Sequence, residues 1–512
     1  MARRADPGSA RLVLVAMIVA NGMILVDQTA VPLALPAIMQ GFGVQSQAVQ
    51  WVLNGSLLPL AGLLVFGGRL GDLLGRRRVF VIGLVLFAGA SAVGGLAPSF
   101  SLLLAARIAQ GVGGALMLPG SVALVNAAFP PDKRGSALGT MGGIAAVAGA
   151  LGPTIGGLLA TVSWRAVLLV NLPLAVACVY LTLRSVPPDE PARERQHVDL
   201  SGTVLLCVTL VGLVYGLSQT QGADITSSQV LVPVAVALVA GALFAARERR
   251  AHNPLMSLSM LRTRRNYLGA TISQALAGMA EMGLGVIFPL LLILNLGMSP
   301  ALAGLALAPA TLPMIVLAPL VGRWYDRAGG RPALVFGFGV LAVSGLALAA
   351  GAVMETYTAM LPGLLLYGVG LALVLTVNDP VSLDSIDEAD EGQASGVAAT
   401  AEQGGGAVGI AVLYALFHAV YIGQLHQRLG DLAGAQAIAL RNDLEAAEQT
   451  GLDPHQFDPA LAAYLIPARE ASALGYAVAF LAVTVIAVVG LLVTATLVRR
   501  PPAARSVADL TT

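Results

Sequence analysis

Asp27, Glu281 and Glu402 are acids set inside long apolar runs, and Arg107 is a cation in a similar position. Charge placed in such a run costs several kcal/mol unless it is paired or used, so these four residues are functional hypotheses by default. A carboxyl there can take up and release a proton or draw in a cation. Asp27 and Arg107 fall at matching depth in their runs, so an ion pair or a shared water is expected between them. The arginine favours the charged carboxyl and desolvation the neutral one; a purely structural pair is the alternative. Glu281, in Gly278-Met279-Ala280-Glu281-Met282-Gly283, and Glu402, just before Gly404-Gly405-Gly406, have no such partner. Glu281 is therefore expected to be neutral much of the time, and Met279 and Met282 to give an adaptable surface for apolar ligands. Asp379, between Asn378 and Pro380, reads as interfacial rather than as a proton carrier.

Such residues need membrane helices to position them. Of 512 residues, 57% are hydrophobic and only 11% charged, and the mean hydropathy is +0.81. A water-soluble domain carries about 25% charged residues, so this is an all-α membrane protein. Windows of about 20 apolar residues find fourteen spans. They lie near 12-38, 49-67, 79-97, 101-122, 136-160, 166-184, 201-218, 229-246, 267-294, 301-321, 333-353, 357-378, 395-421 and 474-498, numbered TM1 to TM14 in chain order. With the first residues inside, 24 of the 29 Lys and Arg fall in cytoplasmic segments. That bias supports fourteen spans with both termini cytoplasmic. No cleavable signal peptide is expected, because the first apolar run is long and lacks a small-residue cleavage site. Cys178 and Cys207 sit in apolar runs and read as small hydrophobes rather than a disulfide.

The chain repeats itself. Gly68-x3-Asp72-x2-Gly75-Arg76 recurs as Gly322-x3-Asp326-x2-Gly329-x-Arg331, and Gly135, Ala137, Gly139, Gly149 and Gly152 map onto Gly392, Ala394, Gly396, Gly406 and Gly409. Near-constant spacing implies two related six-helix halves in parallel orientation, with TM7 and TM8 as an insertion. The expected units are 1-185 for the N-terminal bundle and 186-266 for the two inserted helices with cytoplasmic linkers. The C-terminal bundle takes 267-498, and 499-512 forms a cytoplasmic tail. Within the second bundle, 423-471 is too polar to span and is expected to be an external loop, partly helical near 435-449.

Two motifs concern motion. In the turn GRLGDLLGRRRVF, Gly68, Gly71 and Gly75 allow close backbone approach, while Asp72 can cap a helix and accept bonds from Arg76 and Arg77. Together with the copy at Asp326 and Arg331, this points to a gate latch; a simple topology anchor is the alternative. In TM5, Pro153 cannot donate a backbone bond and crowds the carbonyl of Gly149, so a kink is expected. Gly149, Gly152 and Gly156 share a face where a neighbouring helix can come close, and Gly157 lies beside it.

The chain resembles the major facilitator superfamily, and within it the fourteen-span drug:proton antiporters. GRLGDLLGRRRVF matches that superfamily's signature between helices 2 and 3. Similar agreement is found in Asp27-Gln28-Thr29-Ala30-Val31, in Arg107-Ile108-Ala109-Gln110-Gly111-Val112-Gly113, in Gly152-Pro153-x2-Gly156-Gly157, in Trp164-Arg165 and in Asn171-Leu172-Pro173. Ala148 and Pro32 depart from the antiporter pattern, which usually has Gly and Asn there. The resemblance implies the major facilitator fold, a role for TM5 in sealing the central cavity, and roles for Asp27 and Arg107 in proton coupling or cation recognition.

Other chemistry finds no support. The five histidines show no ligand spacing for a metal, and there is no phosphate-binding loop or zinc motif, so neither an ATP-driven pump nor a membrane enzyme is expected. A proton gradient then stands in place of a cofactor. One proton moving down about 100 mV and one pH unit supplies about 3.7 kcal/mol, enough for a several-hundred-fold solute gradient. The expected function is proton-coupled efflux of amphipathic small molecules across a bacterial plasma membrane. The expected partners are drug-like substrates, protons and the lipid bilayer, with no nucleic acid, and the protein is expected to act as a monomer. The rivals are a dedicated exporter of one natural product or lipid, a metabolite importer, and a receptor or scaffold that does not transport.

Overall fold

A computed structural model describes residues 7–44, 46–189, 199–220, 226–251, 258–383, 386, 391–428 and 462–499. Among them are fourteen helices long and apolar enough to cross a membrane. These are TM1 (Ser9–Phe42), TM2 (Ala48–Leu74), TM3 (Arg76–Gly95), TM4 (Phe100–Ala128), TM5 (Ala137–Val162), TM6 (Trp164–Ser185) and TM7 (Leu200–Gln219). They continue as TM8 (Ser228–Glu248), TM9 (Arg265–Asn295), TM10 (Pro300–Tyr325), TM11 (Gly330–Val353), TM12 (Tyr357–Ser382), TM13 (Gly396–Leu425) and TM14 (Pro467–Leu497). An even number of crossings brings both ends of the described chain to one side, termed the inner end.

The duplication evident in the sequence is repeated in the packing. TM1 packs on TM5 as TM9 packs on TM13, TM3 on TM4 as TM11 on TM12, and TM2 on TM4 as TM10 on TM12. Gly75 and Gly329, one in each copy of the repeated turn, both adopt positive φ (103° and 74°), the conformation that a side chain disfavours. On TM5, Gly149, Gly152 and Gly156 lie against Leu25, Thr29 and Ala30 of TM1; on TM13, Gly405 and Gly409 lie against Ala275 and Met279 of TM9. TM5 runs as one helix through Pro153.

Between the halves, TM7 packs on TM2 and on TM13, with Cys207 against Gly62 and Leu210 against Gly404. TM8 packs on TM7. Asp199 closes this inserted hairpin. It accepts the Gly202 N–H at 2.9 Å and the Ser201 hydroxyl at 3.0 Å, and Arg247 near the end of TM8 donates Nε to it at 2.9 Å. Burial works against the charged carboxyl, but the Arg247, Gly202 and Ser201 donors outweigh it and hold Asp199 below the usual carboxylate range. The folded value thus lies under the unfolded one of about 3.9, so the contribution is complete above that pH and is lost as pH falls through the folded value. Amide exchange in TM7 is expected to rise below about pH 4 in the wild type and to be high already at neutral pH in Asp199→Asn. Equal exchange of the two proteins at neutral pH would contradict this.

The polar stretch after TM13 is shorter than its composition implied. The helix carrying TM13 continues to Arg428, and the helix carrying TM14 begins at Ala462. Tyr421, Leu425, Ala468 and Ala471 are buried, so apolar residues at both edges of the expected 423-471 loop draw its ends into helix. The rest of that loop, including the helix expected near 435-449, lies outside the described residues. So does most of the acidic turn after TM12. Cys178 and Cys207 are both free.

Candidate functional site

Helix placement builds one polar centre inside the first half. Arg107, 1% exposed, and Asp27, 4% exposed, form an ion pair at 2.7 Å. Arg107 also donates Nε to the Val52 carbonyl (2.7 Å), Nη2 to the Ser56 hydroxyl (2.7 Å) and Nη1 to Gln110 Oε1 (2.5 Å). Asp27 accepts from Gln110 Nε2 (2.9 Å) and Asn171 Nδ2 (3.3 Å), and both amides also donate to the Ser91 hydroxyl. Five helices meet here: TM1, TM2, TM3, TM4 and TM6. A turn at Val170 divides TM6 and starts its second segment at Asn171. A small recess beside the pair is lined by Gln28, Ser56, Leu60, Phe87 and Gln110. The ion pair answers the depth argument; the three amide and hydroxyl partners escaped it, although Gln110 and Asn171 stand within the motifs that carry the family resemblance.

The second half holds a centre of a different kind. Glu402 on TM13 is half-buried and accepts a hydrogen bond from Gln274 Nε2 on TM9. Glu281 on TM9 and Asp379 on TM12 lie within electrostatic reach of Glu402. No ion pair among the described residues reaches any of the three. Asp379 is exposed near the end of TM12, a helix that packs against both TM9 and TM13. Beside Glu281, Tyr367 donates its hydroxyl to the Glu281 backbone carbonyl at 3.4 Å and stands edge-on to Phe288. Of the two methionines expected to give an adaptable surface, Met282 is taken up by TM13. The Met282 side chain fills the notch at Gly406 of TM13, and the Met279 backbone lies against Gly409, since a glycine on one helix leaves room for a side chain or backbone of the next.

The two halves meet along TM2 and TM13, at mid-depth through Gln28 and Gln403, and at the outer end. Gln28, next to Asp27, donates Nε2 to Oε1 of Gln403, next to Glu402, at 2.9 Å. Further out, Gly157 sits on the Pro300 carbonyl and Gly304 on the Pro153 carbonyl, and Thr154 donates to the Gly304 carbonyl at 3.3 Å. The TM5 glycines thus serve two faces: Gly149, Gly152 and Gly156 bind TM1 of the same half, while Gly157 binds TM10 of the other. Toward the inner end the contact between TM5 and TM10 lapses. Gly139, Gly142 and Gly143 on TM5 and Gly322 on TM10 have nothing within 4 Å of an added Cβ, and the inner third of TM5 is exposed on most of its faces. Among the described residues TM5 and TM10 are joined at the outer end and parted toward the inner one, while TM2 stays on TM13 there, with Val65 against Gly396.

The repeated turns lie at that inner end. Arg76 donates Nε and Nη2 to Asp72 Oδ1 at 3.0 and 2.9 Å, an exposed pair of small energetic weight. Arg77 donates Nη2 to the Leu183 carbonyl at 3.0 Å, and the backbone N–H groups of Arg77 and Arg78 bond the Asp189 carboxylate at 3.0 and 2.9 Å. Asp189 caps TM3 from the segment after TM6, and a side chain on Gly75 would strike it. In the second copy Arg331 donates to the Ala495 carbonyl at 2.7 Å. Each turn is therefore tied to the last helix of its own half. Gly68 lies against Pro119 and Gly71 against Arg76; the side chain of Asp326 lies outside the described residues. An acid 112 positions from Arg77 as its backbone partner carried no signal in the sequence.

Comparison with known proteins agrees with this architecture. A sequence model of the Major Facilitator Superfamily matches residues 17–410. The "Multidrug resistance protein Stp" of Mycobacterium tuberculosis (strain ATCC 25618 / H37Rv) is 36% identical over 394 residues, 76% of this chain and 73% of that one. The "Tetracenomycin C resistance and export protein" of Streptomyces glaucescens is 36% identical over 405 residues, 78% of this chain and 74% of that one. Among solved structures, a bacterial homolog to the human lysosomal transporter Spinster, inward-facing and occupied, superimposes with a TM-score of 0.67 at 15% identity. It covers 98% of this chain and all of that one.

Proposed function

Because the chain belongs to the major facilitator superfamily, we propose that it exports amphipathic, drug-like small molecules by alternating access, in exchange for protons. It is a multi-pass membrane protein with bacterial relatives, and we place it in the plasma membrane as a monomer with the inner end cytoplasmic. The observation that carries the reading is the acid centre of the second half. Glu402 and Glu281 are half-buried in apolar helices, and no ion pair among the described residues reaches either, so a proton and a cationic or polarisable substrate compete for the same carboxylates. Names of the relatives that speak of multidrug resistance and of export support efflux as the direction.

In this reading Glu402 and Glu281 exchange protons, and Asp27 with Arg107 forms the matching centre of the first half, linked through Gln28 and Gln403. The units 1-185 and 267-498 rock about that mid-depth joint, with 186-266 bridging them. The turns of Asp72, Arg76 and Arg77 and of Asp326 and Arg331 act as latches that are open while the inner end is open. The Gly157–Pro300 contact seals the outer side meanwhile. A dedicated exporter of one natural product is the second reading, favoured by the likeness to the tetracenomycin C export protein.

Purified protein in liposomes tests both. Under an imposed pH gradient, uptake of ethidium, a planar amphipathic cation, should depend on the gradient and be inhibited by unrelated amphipathic drugs. Transport of a single compound without cross-inhibition would support the dedicated exporter. Uptake that ignores the gradient for every compound would overturn proton coupling.

A further inference from the structure

We propose that Gln274 is a positioning residue that holds Glu402 in both of its protonation states by turning its carboxamide over. The inference rests on the reading of Glu402 as a proton carrier. Gln274 is 4% exposed. Its Nε2 donates to Oε2 of Glu402, which suits an ionised carboxylate, while its Oε1 is buried with no partner among the described residues. A carboxamide carries a donor and an acceptor on one rotatable group. When Glu402 takes a proton the carboxyl becomes a donor, and a half-turn of the last Gln274 torsion brings the idle Oε1 to meet it. No other group has to move.

The backbone around the pair leaves side-chain rotation as the available response. Gly278 of TM9 lies so close to the Glu402 carbonyl that a Cβ would strike it, and Gly405 of TM13 lies equally close to the Ala275 carbonyl. TM9 and TM13 are thus clamped on both sides of the pair. The contrast with Asp27 is chemical. Asp27 accepts from Arg107, Gln110 and Asn171; arginine has nothing to accept with, and the Oε1 of Gln110 is already bonded to Arg107. That network closes on a carboxylate, whereas the Gln274 amide serves either form.

Among the described residues the charged groups within electrostatic reach of Glu402 are Glu281 on TM9 and Asp379 on TM12. TM2, TM7 and TM14 also pack against TM13. Their titratable groups are Arg69 and Asp72 toward the inner end of TM2, Cys207 and Tyr215 on TM7, and Arg469, Glu470 and Tyr476 in the outer half of TM14.

Infrared titration of the full chain in lipid tests the proposal without a substrate. The carboxyl band lost in Glu402→Gln should titrate together with a carboxamide C=O band that is lost in Gln274→Met, a variant of similar length that cannot hydrogen-bond in either sense. A bond to a charged carboxylate is stronger than one to the neutral acid, so Gln274→Met should raise the midpoint of Glu402 by about one pH unit. The pH at which ethidium is half released should move by the same amount. A carboxamide band that stays flat while Glu402 titrates overturns the proposal, and so does an unchanged midpoint in Gln274→Met. If Gln274→Met fails to fold, the wild-type spectrum decides alone. If both bands titrate together but ethidium uptake ignores the pH gradient, the Gln274 pairing stands and the exporter reading fails.

Discussion

Arg107→Met is expected to destabilise the protein by about 3–5 kcal/mol, because it leaves the buried Asp27 carboxylate without its counter-charge. Three helices lose a shared partner at once: the guanidinium bonds Val52 and Ser56 on TM2, Asp27 on TM1 and Gln110 on its own helix. Neutralising both members should cost far less, since replacing a buried ion pair by apolar groups of similar size is often close to neutral. Asp27→Leu combined with Arg107→Met should therefore recover most of the lost stability. Thermal melts of the wild type, the two single variants and the double variant in one detergent check this. If the double variant melts as low as Arg107→Met, the loss comes from packing, and if Arg107→Met melts like the wild type, the pair carries no weight.

Gly157→Leu is expected to shift the protein away from the outer-closed state by about 30-fold. Its side chain has no room against Pro300 and Gly304, and overpacking of that kind costs about 2 kcal/mol. The cost falls on one conformation alone, because the contact joins the two halves and vanishes when the outer end opens. Gly156→Leu makes the useful contrast. Its Cβ would lie 2.5 Å from Ala30 Cα on TM1 of the same half, so it should lower stability in every conformation without favouring either. Spin labels at Leu158 and Leu302, both exposed near the outer end, report the separation of TM5 and TM10 once Cys178 and Cys207 are replaced by alanine. Gly157→Leu should populate the longer distance. A distribution unchanged from the parent would contradict the assignment of Gly157 to the outer seal.

Much of this architecture is legible in the amino-acid sequence, for a physical reason. A bilayer demands about 20 apolar residues for each crossing and keeps arginine on one side, so span count and order are written in hydropathy. The repeat places the turns at Gly75 and Gly329, where only the missing Cβ makes the positive φ easy. Charges in spans are equally plain, and Asp27 meets Arg107 as their depths require. What escapes is the neutral polar chemistry. Gln28, Gln110, Asn171, Gln274 and Gln403 raise no charge signal, and which face each presents depends on helix rotation, which packing sets. Asp189 escapes because a capping acid brought from another helix has no fixed spacing from the turn that it caps. Met282 beside Glu281 misleads for a related cause: its spacing is right for a ligand surface, but the facing helix is notched at Gly406 and takes its side chain up.

The central claim is that Glu402 carries the proton which the substrate displaces. Drug-induced proton release from purified, weakly buffered protein tests it most directly, with ethidium added to the wild type and to Glu402→Gln while binding is followed in parallel. The wild type should release protons on binding, and Glu402→Gln should still bind but release none. Equal proton release from the two proteins would contradict the account.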